Sequence, residues 1–127
     1  MAKAKKKVDP GDIATNREAR FRYNLSDNVE AGMVLRGSEV KSMREGGVMM
    51  KDAYASIEDG EVWLKNLHIA PYKFAGNENH EPERPRKLLL NRIEIDRIIG
   101  KLAERGFSLI PTRIYFANGR AKVELAL

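Results

Sequence analysis

The chain contains no cysteine, so a disulfide framework, a cysteine-ligated zinc site and a thiol nucleophile are excluded together. It has two histidines, His68 and His80, and no histidine–glutamate spacing of the metalloprotease kind. A glycine-rich phosphate loop and a serine elbow are also missing. No run approaches the ~20 apolar residues of a membrane-spanning helix. The opening MAKAKKKVDPGD lacks the apolar segment of a signal peptide. These absences predict a cytoplasmic protein that is not an enzyme and that uses no cofactor, metal or membrane.

What is present is a single-domain amount of chain with enough apolar content to fold: 127 residues, 43% hydrophobic and 32% charged. The net charge of +5 points to an anionic partner. Its distribution is informative: residues 1–23 carry +4, residues 24–83 carry −5 and residues 84–127 carry +6. Two basic blocks form a phosphate-binding surface if the fold brings them together, because clustered cations gain from counterion release.

Residues 1–12, rich in lysine and ending in a Pro-Gly turn signal, are expected to form a flexible basic arm, with residues 13–127 as one domain. Phe21, Tyr23 and Leu25, then Val29, Ala31, Met33 and Leu35, alternate as a long half-buried strand with a bend near residues 26–28. Ser38 is the expected N-cap of a short helix that stops at Gly46-Gly47. Asp59-Gly60 and Asn118-Gly119 each lie between runs of β-formers and predict two-residue hairpins. Residues 70–86 form an unusually long polar loop. After it, Ile95, Ile98, Ile99 and Leu102 recur at helical spacing, with Asn91 as cap and Gly106 as stop. Pro111 places its strand at an edge or a bulge. Strands dominate, and the expected fold is a small antiparallel Greek-key barrel of oligonucleotide-binding type with two or three flanking helices.

His68, at a strand end, reads as a hydrogen-bonded structural histidine, and His80 among loop polar residues as the weaker candidate for a metal ligand. The carboxylate pairs Glu39/Glu45 and Asp59/Glu61 read as solvated surface. Basic and aromatic residues interleave in REARFRY, where Arg20 tracks phosphate and Phe21 stacks or packs. RPRKLLLN places Arg84, Arg86 and Lys87 just before the helix that Asn91 opens. One of the three leucines must face outward.

In this order and spacing, NREAR, EAGMVLRGSEVKSMREG, KDAYASIEDGEVWL, HIAPY, RPRKLLLN, GFSLIPTRIYF and KVELAL closely resemble the small protein B family, across residues 13–127. The resemblance implies a non-enzymatic partner of transfer-messenger RNA in ribosome rescue. Such a partner binds the tRNA-like domain, promotes its alanylation by alanyl-tRNA synthetase and delivers it with elongation factor Tu to stalled ribosomes. It implies RNA contact by Glu30, Leu89 and Asn91, with phosphate contacts from Arg86, Lys87 and Lys122, in a monomer. Phe21 stands where the family usually has histidine. The chain stops at VELAL, where family members continue into a basic tail, and a truncated chain that binds RNA without supporting tagging is expected. The competing expectations are another ribosome-associated barrel that binds nucleic acid and, from a different class, a hydrolase built on His68 and His80.

Overall fold

The computed structural model describes residues 12–15, 28–103 and 109–126. Among these, nine strands occur: β1 (Asp12–Thr15), β2 (Asn28–Met33), β3 (Val48–Met49), β4 (Tyr54–Glu58), β5 (Glu61–Lys65), β6 (His68–Ile69), β7 (Arg86–Leu89), β8 (Ile110–Ala117) and β9 (Arg120–Ala126). Two helices, α1 (Gly37–Arg44) and α2 (Arg92–Ala103), and a 3-10 turn at Gly76–Glu78 complete the described elements. The predicted basic arm lies outside the described residues except for Asp12, which opens β1, and Phe21, Tyr23, Leu25 and Gly106 lie outside them too.

Seven strands make one antiparallel sheet in the order β1-β8-β9-β2-β7-β5-β4, and β3 pairs with β6 beside it. The sheet curls into a half-barrel: the β4 edge meets the chain entering β8, where the Ala55 N–H donates to the Leu109 carbonyl at 3.0 Å. Both expected hairpins are present. Asp59 and Gly60 have φ of 53° and 75°, and Asn118 and Gly119 have 54° and 76°, the pair of positive angles that a two-residue turn needs to match strand twist. Pro111 sits at a register shift of β8 against β9, so its missing N–H breaks no regular ladder.

Strand alternation builds the core. Val29, Ala31 and Met33 of β2, Val62 and Leu64 of β5, Leu88 of β7, Ile114 of β8, and Val123 and Leu125 of β9 point inward. Ile95 and Ile98 of α2 and Met43 of α1 close over them. Ile99, expected in the core from its spacing, is 39% exposed.

Helix α1 departs from expectation at its start. The N-cap is Arg36, whose N–H donates to Glu39 Oε1 at 2.8 Å, and Ser38 instead hydrogen-bonds His80. The helix buries Ser38, Glu39, Ser42 and Met43, a polar face that needs partners from elsewhere. Its end is tight: a Cβ on Gly47 would lie 2.6 Å from Ser42 Oγ, so only glycine lets the chain pass there without a shift.

Candidate nucleic-acid interface

The outer face of the sheet is assembled by register. Leu89 of β7, Gly32 of β2, Lys122 of β9 and Tyr115 of β8 are successive cross-strand partners and form one row. The neighbouring row is Glu30, Glu124 and Arg113. Because Ala31, Leu88, Val123 and Ile114 point inward, all of these point out. Lys87 shares this face with Leu89, two residues on, and its ammonium lies 3.9 Å from Glu61.

Leu89 is 53% exposed, the outward leucine that the run of three required. Gly32 beside it carries no side chain, and the space opens into a cleft of about 390 Å³ walled in part by Leu35, Leu89, Phe116, Arg120 and Lys122. Arg44 of α1 stacks over Phe116 at 4.3 Å, adding a cation at the rim.

Glu30 is held in place. The Tyr115 hydroxyl donates to its Oε2, leaving Oε1 to accept from outside. Burial, and then the Glu30 carboxylate itself, push the Tyr115 phenol well above its ordinary value of 10.0, so the hydroxyl stays a donor. Arg113 stacks on Tyr115 at 4.2 Å and lies 3.6 Å from Glu124, which also accepts from Thr112 Oγ1 at 2.6 Å. An acceptor is thus fixed among cations and aromatic surface, and it suits base amino groups or ribose hydroxyls.

Asn91 is exposed and caps α2, its Oδ1 accepting the Glu94 N–H at 2.9 Å. It follows the end of β7, two residues beyond Leu89. Arg20 and Phe21 lie outside the described residues.

Arg86 is a correction. It shares the inward parity of Leu88, is 0% exposed, and spends its donors inside the protein. Nε reaches Glu39 Oε2 at 2.9 Å, Nη1 the Leu67 carbonyl at 2.6 Å and Nη2 the Pro82 carbonyl at 3.1 Å. With the whole side chain buried, a phosphate in solvent cannot reach it. Glu39, expected at the solvated surface, is its buried partner, and Arg84 adds Nη2 to Glu39 Oε1 at 2.6 Å.

Both histidines are hydrogen-bonded, His68 as expected and His80 in place of the loop metal ligand it could have been. His68 is half-exposed, with Nδ1 3.3 Å from Glu83. His80 is the buried structural one: Nε2 donates to the Ile69 carbonyl at 2.8 Å, which leaves Nδ1 to accept from Ser38 Oγ at 2.8 Å. Both ring nitrogens are occupied, so His80 is a pin between the long loop and α1 and not a metal ligand.

A curled antiparallel sheet displaying cations, an exposed leucine and a fixed carboxylate acceptor on one open face defines a β-rich nucleic-acid-binding module. Residues 13–127 match the family model described as SmpB protein. An SsrA-binding protein of Symbiobacterium thermophilum is 54% identical over 128 residues, covering all of this chain and 80% of that protein. One from Desulforudis audaxviator is 53% identical over 115 residues, covering 91% of this chain and 75% of that one. A solved structure described as "tmRNA-SmpB: a journey to the center of the bacterial ribosome" is similar with a TM-score of 0.74 and 46% identity, over 88% of this chain and 79% of that chain. The chain belongs to the SmpB family.

Proposed function

We propose that this chain binds the tRNA-like domain of transfer-messenger RNA and carries it to stalled ribosomes in trans-translation, acting as a binding protein and not as an enzyme. The observation that carries this reading is the outer row Leu89, Gly32, Lys122 and Tyr115, with Glu30 held by Tyr115 beside it. Lys87 and Lys122 contribute salt-dependent affinity through phosphates. Leu89 packs on a base or ribose, Glu30 accepts from base amino groups or 2′-hydroxyls, and Asn91 supplies an amide at the α2 cap.

Residues 13–127 act as the RNA-binding domain and residues 1–12 as a basic arm, and Arg20 and Phe21 extend the interface on the strength of the sequence. Elongation factor Tu and alanyl-tRNA synthetase meet this chain through the shared RNA, and the protein works as a monomer in the cytoplasm. No helix among the described residues is long and apolar enough to cross a membrane.

The test is binding to the isolated tRNA-like domain with salt titrated, comparing wild type with Leu89→Ala and Glu30→Ala. The expected result is a steep salt slope and a loss of about tenfold or more for each variant. Equal affinity for an unstructured oligonucleotide, or binding indifferent to both substitutions, overturns the reading.

A further inference from the structure

A second cleft lies on the other flank of α1. Leu35 and Val40 wall the cleft beside Leu89, whereas Gly37, Ser38 and Lys41 wall this one, about 460 Å³ in volume, with Arg36 and Tyr72. Phe74 also lines it and is 72% exposed, the most exposed aromatic ring among the described residues. Tyr72 and Phe74 meet edge to face with centroids 5.5 Å apart. Lys41 stands over the Tyr72 ring at 5.8 Å and Lys73 over Phe74 at 5.1 Å.

Two properties separate this patch from ordinary loop surface. The first is that the loop is pinned. Asn79 clamps Tyr72 through both backbone groups, its Oδ1 accepting the Tyr72 N–H at 3.0 Å and its Nδ2 donating to the Tyr72 carbonyl at 2.8 Å. The next residue, His80, ties the loop to Ser38 of α1. Phe74 is therefore displayed at a set position, and the ordering cost of using it is met in folding. The second is charge. Arg36, Lys41 and Lys73 form no ion pair among the described residues, and the acidic residue lining the cleft is Glu78. Three cations outside any ion pair, set around the exposed Phe74 ring and the half-buried Tyr72 ring, make the combination that binds single-stranded nucleic acid, phosphate on the cations and base on the ring face.

We propose that this cleft is a second RNA site, taking an unstacked nucleotide of a single-stranded segment, with its base on Phe74 and its flanking phosphates on Arg36 and Lys41. It goes beyond the outer-face reading because it shares no residue with that face. Helix α1 is the wall common to both clefts, so one RNA chain or two can engage both sides of it.

The test uses the full chain and a fluorescein-labelled hexauridylate at low salt, with anisotropy for affinity and NMR for location. The expected result is perturbation of the Tyr72 and Phe74 ring signals, with hexauridylate binding about tenfold weaker in Phe74→Ala and reduced in Lys41→Ala. Leu89→Ala should leave hexauridylate binding unchanged while weakening the tRNA-like domain, which separates failure of this site from failure of the outer face. Phe74 and Lys41 are exposed, so neither variant should lose the fold, and unchanged amide spectra confirm this. Perturbations confined to the β7–β9 face, or affinity indifferent to both substitutions, overturn the proposal. So does silence toward hexauridylate combined with Phe74-dependent binding to RNA-free ribosomal proteins, which would assign the patch to a protein partner.

Discussion

Arg86 and Glu39, far apart in the chain, face each other at 2.7 Å with both side chains completely buried. The guanidinium also satisfies the carbonyls of Leu67 and Pro82, and thereby joins α1, β7 and the long loop. Burial pulls the Arg86 pKa below its ordinary value and Glu39 opposes that pull. A guanidinium remains protonated in such a site, so the pair stays ionic. Breaking it strands a charge: Arg86→Met should cost about 3–5 kcal/mol in urea unfolding. The double variant Glu39→Leu/Arg86→Met should recover a large part of that loss. At temperatures where Arg86→Met is folded, its RNA affinity and salt slope should equal those of wild type, since the Arg86 side chain is fully buried.

The same pair sets an acid limit. Burial raises the Glu39 pKa, but hydrogen bonds from Arg84, the Arg36 N–H and Arg86 outweigh it, and the net direction is down from 4.5. A carboxylate depressed in the folded state stabilises above its unfolded pKa, and that contribution is lost as pH falls through the folded value. Stability should therefore drop below about pH 4.5 in wild type, and the gap between wild type and Glu39→Gln should close over that window. A gap that stays constant down to full protonation would contradict the assignment.

At the alkaline end, Tyr115 is the reporter. Its pKa is raised by burial and by Glu30, so its neutral hydroxyl is favoured in the fold. That contribution is present below 10.0 and is lost as pH rises through the higher folded value. The tyrosinate absorbance difference between wild type and Tyr115→Phe should therefore develop late relative to an ordinary tyrosine. Glu30→Gln should bring it earlier.

Asn91 and Leu89 separate scaffold from contact. Asn91→Ala removes the α2 cap and should cost ~1 kcal/mol of stability, whereas Asn91→Asp keeps an acceptor for the Glu94 N–H and puts a favourable negative charge at the helix start. Stability of Asn91→Asp should match or exceed wild type while its affinity for the tRNA-like domain falls, because a carboxylate repels phosphate. Leu89→Ala, at a half-exposed position, should change stability by less than about 0.5 kcal/mol and still weaken RNA binding.

Much of the frame is local and was legible for that reason. Asp59-Gly60 and Asn118-Gly119 sit in the left-handed region that their chemistry favours, and Asn91 caps α2 through a bond spanning three residues. The alternation of Val29, Ala31 and Met33 gave the inward face of β2, and the outward leucine of LLLN followed from parity. That same parity was a usable signal for Arg86, two residues before buried Leu88, but a cation beside Lys87 reads first as surface. Ser38 looked like a cap because serine before an apolar run usually is one; its hydroxyl is taken by His80, 42 residues away.

By itself, then, the sequence determined the turns, the α2 cap, the strand faces and the basic ends of the chain, since each depends on a few neighbouring residues and on backbone sterics. Only the tertiary structure decided which charges are buried and which remain for a ligand. Glu39 and Arg86 carry the same formal charges as residues on the surface, and their burial, with half-buried Arg84 beside them, is tolerable only because the fold brings these groups within hydrogen-bond reach across more than forty residues. Lys87 and Lys122 point outward on the opposite side of the same pleat, Lys87 beside Glu61, on the surface that a ligand can reach.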